Sequence, residues 1–498
     1  MHTSPRLGPS LAAALCLATV HVAASPVTDR ASVGPAGAQG TARSGSPALS
    51  ANGRYAAFIS DAPNLVTGDT NGSNDVFVRD TAARTTARVS IASDGSEANS
   101  GSDEWDAPSI SADGRYVAFT SNASNLVPGV ANGVTNVFVR DLAAGVTTCV
   151  SLDSGGAPGN DNSFAPSISA DGRYVAFASN ASNLVSGDTN AASDVFVRDT
   201  QTGVTRRVSV APDGTEGNGP SGYPCISANA KFVAFASAAS NLSPNDANDA
   251  ADIFVCDLQS GSVSLASTAS DGTPGNDWSD YTPSLSADGR YVAFLSNASN
   301  LVAADTNGSA DVFVHDMQSG WTVLASADSS GTIGNDASFS PCLSADARYV
   351  AFASLASNLT AGDVNGAADL FIRDLWLGRT ALASLDSASA QGNGWSGPMY
   401  PPSLSGDGSS VAFESWASNL VAADTNGAGD VFVRSALFAA PPFTTGDKLG
   451  TLRAAGGLDV LTGAQLTRLN VVTTGSSFSV VDILDAVRVA RKAAGLEP

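Results

Sequence analysis

Six short loops along this chain share the spacing D-x-N-x-x-x-D, an arrangement of oxygen donors suited to a hard cation. The sets are Asp69/Asn71/Asp75, Asp188/Asn190/Asp194, Asp246/Asn248/Asp252, Asp305/Asn307/Asp311, Asp363/Asn365/Asp369 and Asp424/Asn426/Asp430. At the corresponding place a seventh loop has Val130, Asn132 and Asn136, without either carboxylate. Calcium takes six to eight oxygens from carboxylates, amide and backbone carbonyls and water, so calcium is the cofactor these loops would hold. The same residues have a second use: Asp and Asn fix Asx turns, and the last Asp can cap the strand that follows. Both readings stand at the level of sequence.

A second set of chemistry-bearing residues is aromatic. Trp105, Phe164, Tyr223, Trp278, Tyr281, Phe339, Trp395 and Tyr400 each lie at or slightly upstream of a recurring Pro, in connections about 15 residues long. Among Asn and Asp side chains such rings can stack on sugars or hold peptide side chains, and they can equally plug gaps beneath their loops. Trp278 and Trp395 lie farthest from the following strand and are expected to be exposed. Each connection also carries an Asn: Asn99, Asn160, Asn218, Asn276, Asn335 or Asn393.

Other chemistries are poorly supplied. His2 and His21 lie in an N-terminal leader, which leaves His315 alone at a position where five repeats have Arg79, Arg140, Arg198, Arg373 and Arg434. A histidine-ligated metal centre is excluded, and His315 reads as a strand residue in place of Arg. There is no G-x-S-x-G elbow, H-E-x-x-H pair or phosphate loop. Catalysis by an Asp/Glu pair, as in polysaccharide hydrolases or lyases, needs nothing more than carboxylates, so it is carried as the alternative function. The Asp loops themselves open like an EF-hand loop but lack its fifth-position ligand and closing Glu.

The elements that must position these residues come from a repeat. P-S-[IL]-S-A-D-G-R-Y-V-A-F, then S-N-L, then D-V-F-V-R-D, returns from Pro47, Pro108, Pro166, Pro224, Pro283, Pro341 and Pro402, at steps of 58–61 residues. Each repeat reads as four short strands split by Asp-Gly and Thr-Gly turns; in the third these are 166–169, 174–179, 194–199 and 205–210. Seven such units predict an all-β fold, a seven-bladed β-propeller over residues 25–438. The last repeat lacks its fourth strand. Thr28-Asp29-Arg30-Ala31-Ser32-Val33 matches Thr86-Ala87-Arg88-Val89-Ser90-Ile91, the fourth strand of the first repeat, so the N-terminal strand is expected to close the ring. Counting strands up and down puts the Asp-Asn loops and the aromatic connections on one face, the expected working face.

Residues 1–24 read as a secretory signal peptide, with Cys16 in its apolar core, and no later segment is apolar enough to span a membrane. Cys149, Cys225, Cys256 and Cys342 sit at unmatched positions, which argues against a disulfide framework. A formal charge of −22 makes nucleic acid a poor partner and suits an exported, soluble, monomeric propeller.

S-A-D-G-R-Y-V-A-F followed by D-V-F-V-R-D resembles the repeats of TolB-type, WD-like bacterial propellers, from about Pro47 to Phe438. The resemblance implies the fold and export to the periplasm or medium. The chain departs from TolB in lacking its separate N-terminal α/β domain and in having seven repeats where that family has six blades. After a Pro-rich linker at 439–446, residues 447–498 resemble a degenerate dockerin-type helical module. A helix is expected from a cap at Ser479, but Val471, Thr473 and Gly475 stand where that family's calcium ligands would be. The combined expectation is a secreted, non-catalytic propeller that recognises a glycan or protein on one face; a structural cell-surface protein is a further alternative.

Overall fold

The computed structural model describes residues 25–437, apart from 103–105, 247, 304 and 398–400. The leader, the linker and the C-terminal module therefore lie outside the described residues. The compact unit Pro26–Phe438 contains seven four-stranded antiparallel sheets. In the third blade the strands are Ser163–Ile168, Tyr174–Ser179, Asp194–Asp199 and Thr205–Arg207, hydrogen-bonded in chain order. The first strand starts three residues before the expected Pro166, because Ser163 and Phe164 already pair with Ser179 and Ala178 ahead of a bulge. The fourth stops early, at Arg207, the last residue to pair with the third strand.

The last blade is assembled from both ends of the propeller. Val27–Arg30 pairs antiparallel with Asp430–Ser435, matching Thr28 with Arg434 and Arg30 with Phe432. This is the closure expected from the aligned Arg30 and Arg88, and it covers an edge that would otherwise stay unpaired.

The third strands are buried almost throughout, since a blade is covered on both faces by its neighbours. Their motif is accordingly a continuous apolar run rather than an alternating one. Each blade holds a buried Phe pair from its second and third strands, such as Phe177 and Phe196 with ring centroids 5.8 Å apart. The R-Y dipeptide seals neighbouring blades. The Arg173 guanidinium lies 4.9 Å over the Tyr174 ring and holds Asp199 with two nitrogens, at 2.9 and 2.6 Å. Tyr116 lies against the turn of the next blade, where a Cβ on Gly172 (φ +74) would collide with its ring. Glycine suits the turn by backbone angle and by space, and where Ala230 and Ala347 replace it in blades four and six they take the same left-handed conformation, at φ +55 and +54.

Those turns also join into a ring of backbone bonds. Ala51 N–H donates to Ala112 O, Ala112 to Ala170 O, Ala170 to Ala228 O, Asn229 to Ala287 O, Ala287 to Ala345 O, Ala345 to Gly406 O, and Gly406 back to Ala51 O at 2.8 Å. Inside it, a Ser of one blade accepts from the first strand of the next, as Ser109 Oγ does from Ile168 N–H.

The Arg of D-V-F-V-R-D ties its blade to the preceding one at Arg140, Arg198, Arg373 and Arg434: Arg198 donates to the Leu152 and Asp153 carbonyls and, within its own blade, to Thr205. His315 occupies the same place, buried, with Nδ1 2.8 Å from Thr322 Oγ1. Burial lowers its pKa and keeps it neutral, a structural strand residue. All four described cysteines are free thiols.

The closing interface carries one contact with no counterpart in the repeat. Glu414, buried at a position that is apolar or Thr in other blades, pairs with Arg43 of the first blade at 3.1 Å. Gly45 makes room, since a Cβ there would meet the Glu414 carboxylate. Glu414→Ala removes the buried half of this ion pair and is expected to cost about 2 kcal/mol or more in chemical denaturation. A double-mutant cycle with Arg43→Ala should return a coupling well above zero; additive losses would show that the pair does not hold the interface.

Candidate functional site

One face of the propeller is built by the loops between second and third strands together with the blade connections, and a repeated clamp locks the two together. The loop Asn donates through Nδ2 to a carbonyl of the connection 27 residues on: Asn71 to Ala98 O, Asn190 to Gly217 O, Asn248 to Gly275 O, Asn307 to Gly334 O and Asn365 to Gly392 O, at 2.9–3.1 Å. Asn426 makes the equivalent bond across the ring closure, to Gly40 O at 3.0 Å, and its Nδ2 also lies 3.3 Å from Asp430 Oδ2. In all six loops the Asn Oδ1 accepts the N–H two residues further on; for Asn426 this is Ala428 N–H at 3.0 Å. The sequence offered Asn71, Asn190, Asn248, Asn307, Asn365 and Asn426 as amide ligands to a cation. In the structure each makes an Asx turn and a clamp, because the connection brings a carbonyl to Nδ2 and the tight turn brings an N–H to Oδ1. A second clasp explains the connection Asn and the S-N-L motif. Asn160 N–H donates to Asn183 Oδ1, its Nδ2 to Ser182 Oγ, and Ser182 N–H returns a bond to Asn160 Oδ1.

The last Asp of each loop is buried and joins the third strand to the fourth. Ser209 Oγ donates to Asp194 Oδ1 at 2.5 Å and accepts Val195 N–H at 3.1 Å. This leaves a second oxygen and a negative charge to be answered, and the blades answer differently. In blade one Arg88 Nη1 lies 3.4 Å from Asp69 and 3.2 Å from Asp75 and bonds Glu97; in blade three Arg207 does the same with Asp188, Asp194 and Glu216. In blade seven Arg30 reaches Asp424 and Asp430 at 3.2 and 3.4 Å, with Gln39 alongside. The carboxylate triads Asp69/Asp75/Glu97 and Asp188/Asp194/Glu216 have the compactness of a metal site, and in each a guanidinium nitrogen lies against all three carboxylates. Blade six uses Gln391, whose amide donates to both Asp363 and Asp369. Blade two has dropped the charge, and Ser151 donates to the neutral Asn136.

Burial raises these carboxylates even where an arginine stands beside them, as at Asp75 and Asp430. It pushes Asp311 and Asp369 up to about 6, opposed by hydrogen bonds from Ser326 and Ser384, and it raises Asp305 as well. Glu97, also penalised by burial, is nonetheless held at about 2 by bonds from Thr70 and Arg88.

The aromatic residues divide. Phe164 and Phe339 are half-buried at the starts of their first strands. Trp105 and Tyr400 lie outside the described residues. Tyr223 and Tyr281 are exposed, at 39 and 55 %, and stand in left-handed backbone at φ +50 and +67. Their rings are 6.1 Å apart, and Trp278 meets Tyr281 edge-on at 6.2 Å. Trp278 is half-buried rather than exposed, with its ring edge-on against Tyr281. Trp395 is 55 % exposed, and Trp416, which the sequence reading did not single out, is 46 % exposed beside it; Trp416 N–H donates to Trp395 O. Its signal was a Trp where other repeats have mostly Asn or Ala, directly before the A-S-N-L motif. The face thus presents one aromatic cluster across blades four and five and another on blade seven.

A ring of seven four-stranded blades with one loop-built face defines the β-propeller class. No family model and no curated protein matches the chain. Among solved structures it is similar to TolB from Acinetobacter baumannii, at 17 % identity and a TM-score of 0.35, over 56 % of this chain and 53 % of that one. A putative TolB from Agrobacterium tumefaciens gives 16 % and 0.36, over 57 and 80 %. Oligogalacturonate lyase from Vibrio parahaemolyticus gives 12 % and 0.46, over 83 and 97 %. The chain spans about half the length of the Acinetobacter protein. These likenesses are of fold. Among the described residues no helix is long and apolar enough to cross a membrane.

The buried carboxylates set a pH dependence. Asp311 and Asp369 have folded pKa values of about 6, above the 3.8 of an ordinary Asp, so their charging costs stability as pH rises from about 4 through about 6. Asp80 and Asp141, held at about 2 first of all by hydrogen bonds from Arg54 and Arg115, stabilise above about 4 and lose that contribution as pH falls toward 2. The thermal midpoint should rise from pH 7 to about pH 5 and fall below about pH 3.5. Asp369→Asn should flatten the rise; an unchanged slope would remove this residue as its source.

Proposed function

We propose that this protein is an exported, non-catalytic binding propeller whose loop-built face recognises a glycan or a protein. The carrying observation is the Tyr223–Trp278–Tyr281 cluster. Tyr223 and Tyr281 stand at first-strand bulges whose positive φ recurs at Ser46, Ala165 and Ser340, so the backbone belongs to the scaffold; what sets this pair apart is that the bulge places two large rings in solvent, near each other and beside Trp278. Flat exposed rings beside fixed Asn and Asp groups suit the apolar faces and hydroxyls of a sugar, and equally a peptide segment. Binding is favoured over carboxylate catalysis because the prominent acidic clusters are engaged with arginine, serine and amide partners inside the fold. Export follows from the leader read in the sequence.

A panel of soluble acidic and neutral polysaccharides, run in affinity electrophoresis, tests the glycan arm directly. At least one should retard the wild-type protein, and Tyr281→Ala should weaken that retardation by about tenfold at an unchanged thermal midpoint, in keeping with roughly 1 kcal/mol or more for one stacked ring. Trp395→Ala reports separately on the blade-seven cluster. Retardation identical in both variants would remove the aromatic face as the site.

A further inference from the structure

Blades four, five and six each have the acidic pair with no arginine beside it, and blade four also lacks the close amide bonds that Asn307 and Gln391 supply in the other two. Where blades one, three and seven have Arg88, Arg207 and Arg30 on the fourth strand, blade four has Leu265, and where blades one and three have Glu97 and Glu216 it has Pro274. Asp252 is fully buried. Ser267 donates to its Oδ1, while its Oδ2 is buried with only the Asn248 amide bearing on it, outside good hydrogen-bond geometry. Both oxygens of Asp246 are likewise buried, with only the Asn248 N–H bearing on them and no well-formed bond. Blade five also lacks the arginine, having Leu324, but there Asn307 donates to Asp311 Oδ2 at 2.7 Å. Among the described residues of these loops, fully buried carboxylate oxygens without a well-formed bond occur in blade four.

We propose that the blade-four loop binds a divalent cation of the calcium type, seated where the guanidinium lies in blades one, three and seven. The arginine defines what the ion must replace: Arg207 Nη1 contacts Asp188 and Asp194, and its Nη2 donates to Gly187 O at 3.2 Å. The matching groups in blade four are Asp246, Asp252 and the Asn245 carbonyl. Two carboxylates and a backbone carbonyl, completed by water, are ligands a hard cation takes. Asn248 keeps its place as the loop clamp, bonded to Gly275 O and Ala250 N–H. Blade two shows the same dependence from the other side: with no arginine, having Cys149, it has also lost the carboxylates. The inference refines the working face of the proposed binding function but is read by stability, so it stands or falls independently of any glycan.

The test is thermal unfolding of the full chain at neutral pH in millimolar calcium chloride and in chelator. Wild type should gain about 3 °C or more with calcium, as expected for an ion bound well above its dissociation constant. Leu265→Arg supplies the missing guanidinium and should abolish the calcium response while raising the midpoint in chelator. Asp246→Asn should abolish the response without that rise, and decides the matter if the arginine is not accommodated. Leu324→Arg in blade five should leave the response intact. Equal wild-type midpoints in calcium and chelator would overturn the proposal, as would a response that survives Asp246→Asn.

Discussion

Closure of the ring is the constraint on which everything else depends. A single blade cannot bury its own faces, and its third strand is apolar on both sides only because a neighbour lies against each. The seven turn-to-turn bonds from Ala51 round to Gly406 and back bring the turns close enough that only small residues follow the Ser of each hairpin, Ala in six blades and Gly406 in the seventh. The same closeness presses most turns onto the aromatic ring of the previous blade, as Gly172 lies against Tyr116, so the turn holds nothing larger than Gly or Ala. Pairing Val27–Arg30 with Asp430–Ser435 then turns a row of seven units into a closed object.

That closure frees a limited set of positions to vary. The residue before each first strand bonds through its carbonyl to the N–H of the residue after the second strand, a backbone contact that leaves both side chains unspecified. The pairs run Arg43/Asp61, Gly101/Asn122, Asn162/Asn180, Pro220/Ala238, Trp278/Asn297, Ala337/Leu355 and Trp395/Trp416. Residues that build the ring recur almost unchanged from blade to blade, whereas these differ in size, charge and polarity. The exposed aromatic groups belong here and to the neighbouring first-strand bulges, where Tyr223 and Tyr281 take positive φ. A rigid repeated scaffold carrying an irregular face is the arrangement expected when recognition, not stability, sets the face.

The period, the strand order and the closing strand were legible because each is written as a spacing: Pro47 to Pro402 in near-equal steps, and Arg30 in register with Arg88. The common face followed from counting strands. What the sequence could not show was which side chains meet across strands. Arg88 lies 13 positions from Asp75 and reaches Glu97 from the opposite side, a convergence set by the pairing of the third and fourth strands and by the return of the connection. Asn426 is the same case over a longer separation, since its clamp partner Gly40 lies 386 positions away and meets it only through ring closure. Trp278 read as exposed because its distance from Pro283 looked like loop, yet the bulge in that strand carries the ladder back to Ser279. Trp416 escaped because it lies in a motif read as scaffold.

Those convergences reconcile the two uses available to the Asp-Asn loops. The buried Asp is first a structural link, since its Oδ1 holds the outer-strand Ser that accepts the next backbone N–H, as Asp194 holds Ser209. Asn136 makes the same link without charge in blade two, so the link itself needs an acceptor and not an anion. Where the anion is kept, its second oxygen becomes a problem of charge inside the fold, and an isolated buried carboxylate is costly. Arginine resolves it in three blades and glutamine in a fourth. The turn is common to every acidic loop; in blade five the Asn307 amide answers the second oxygen, and blade four is where the proposed cation would take that place.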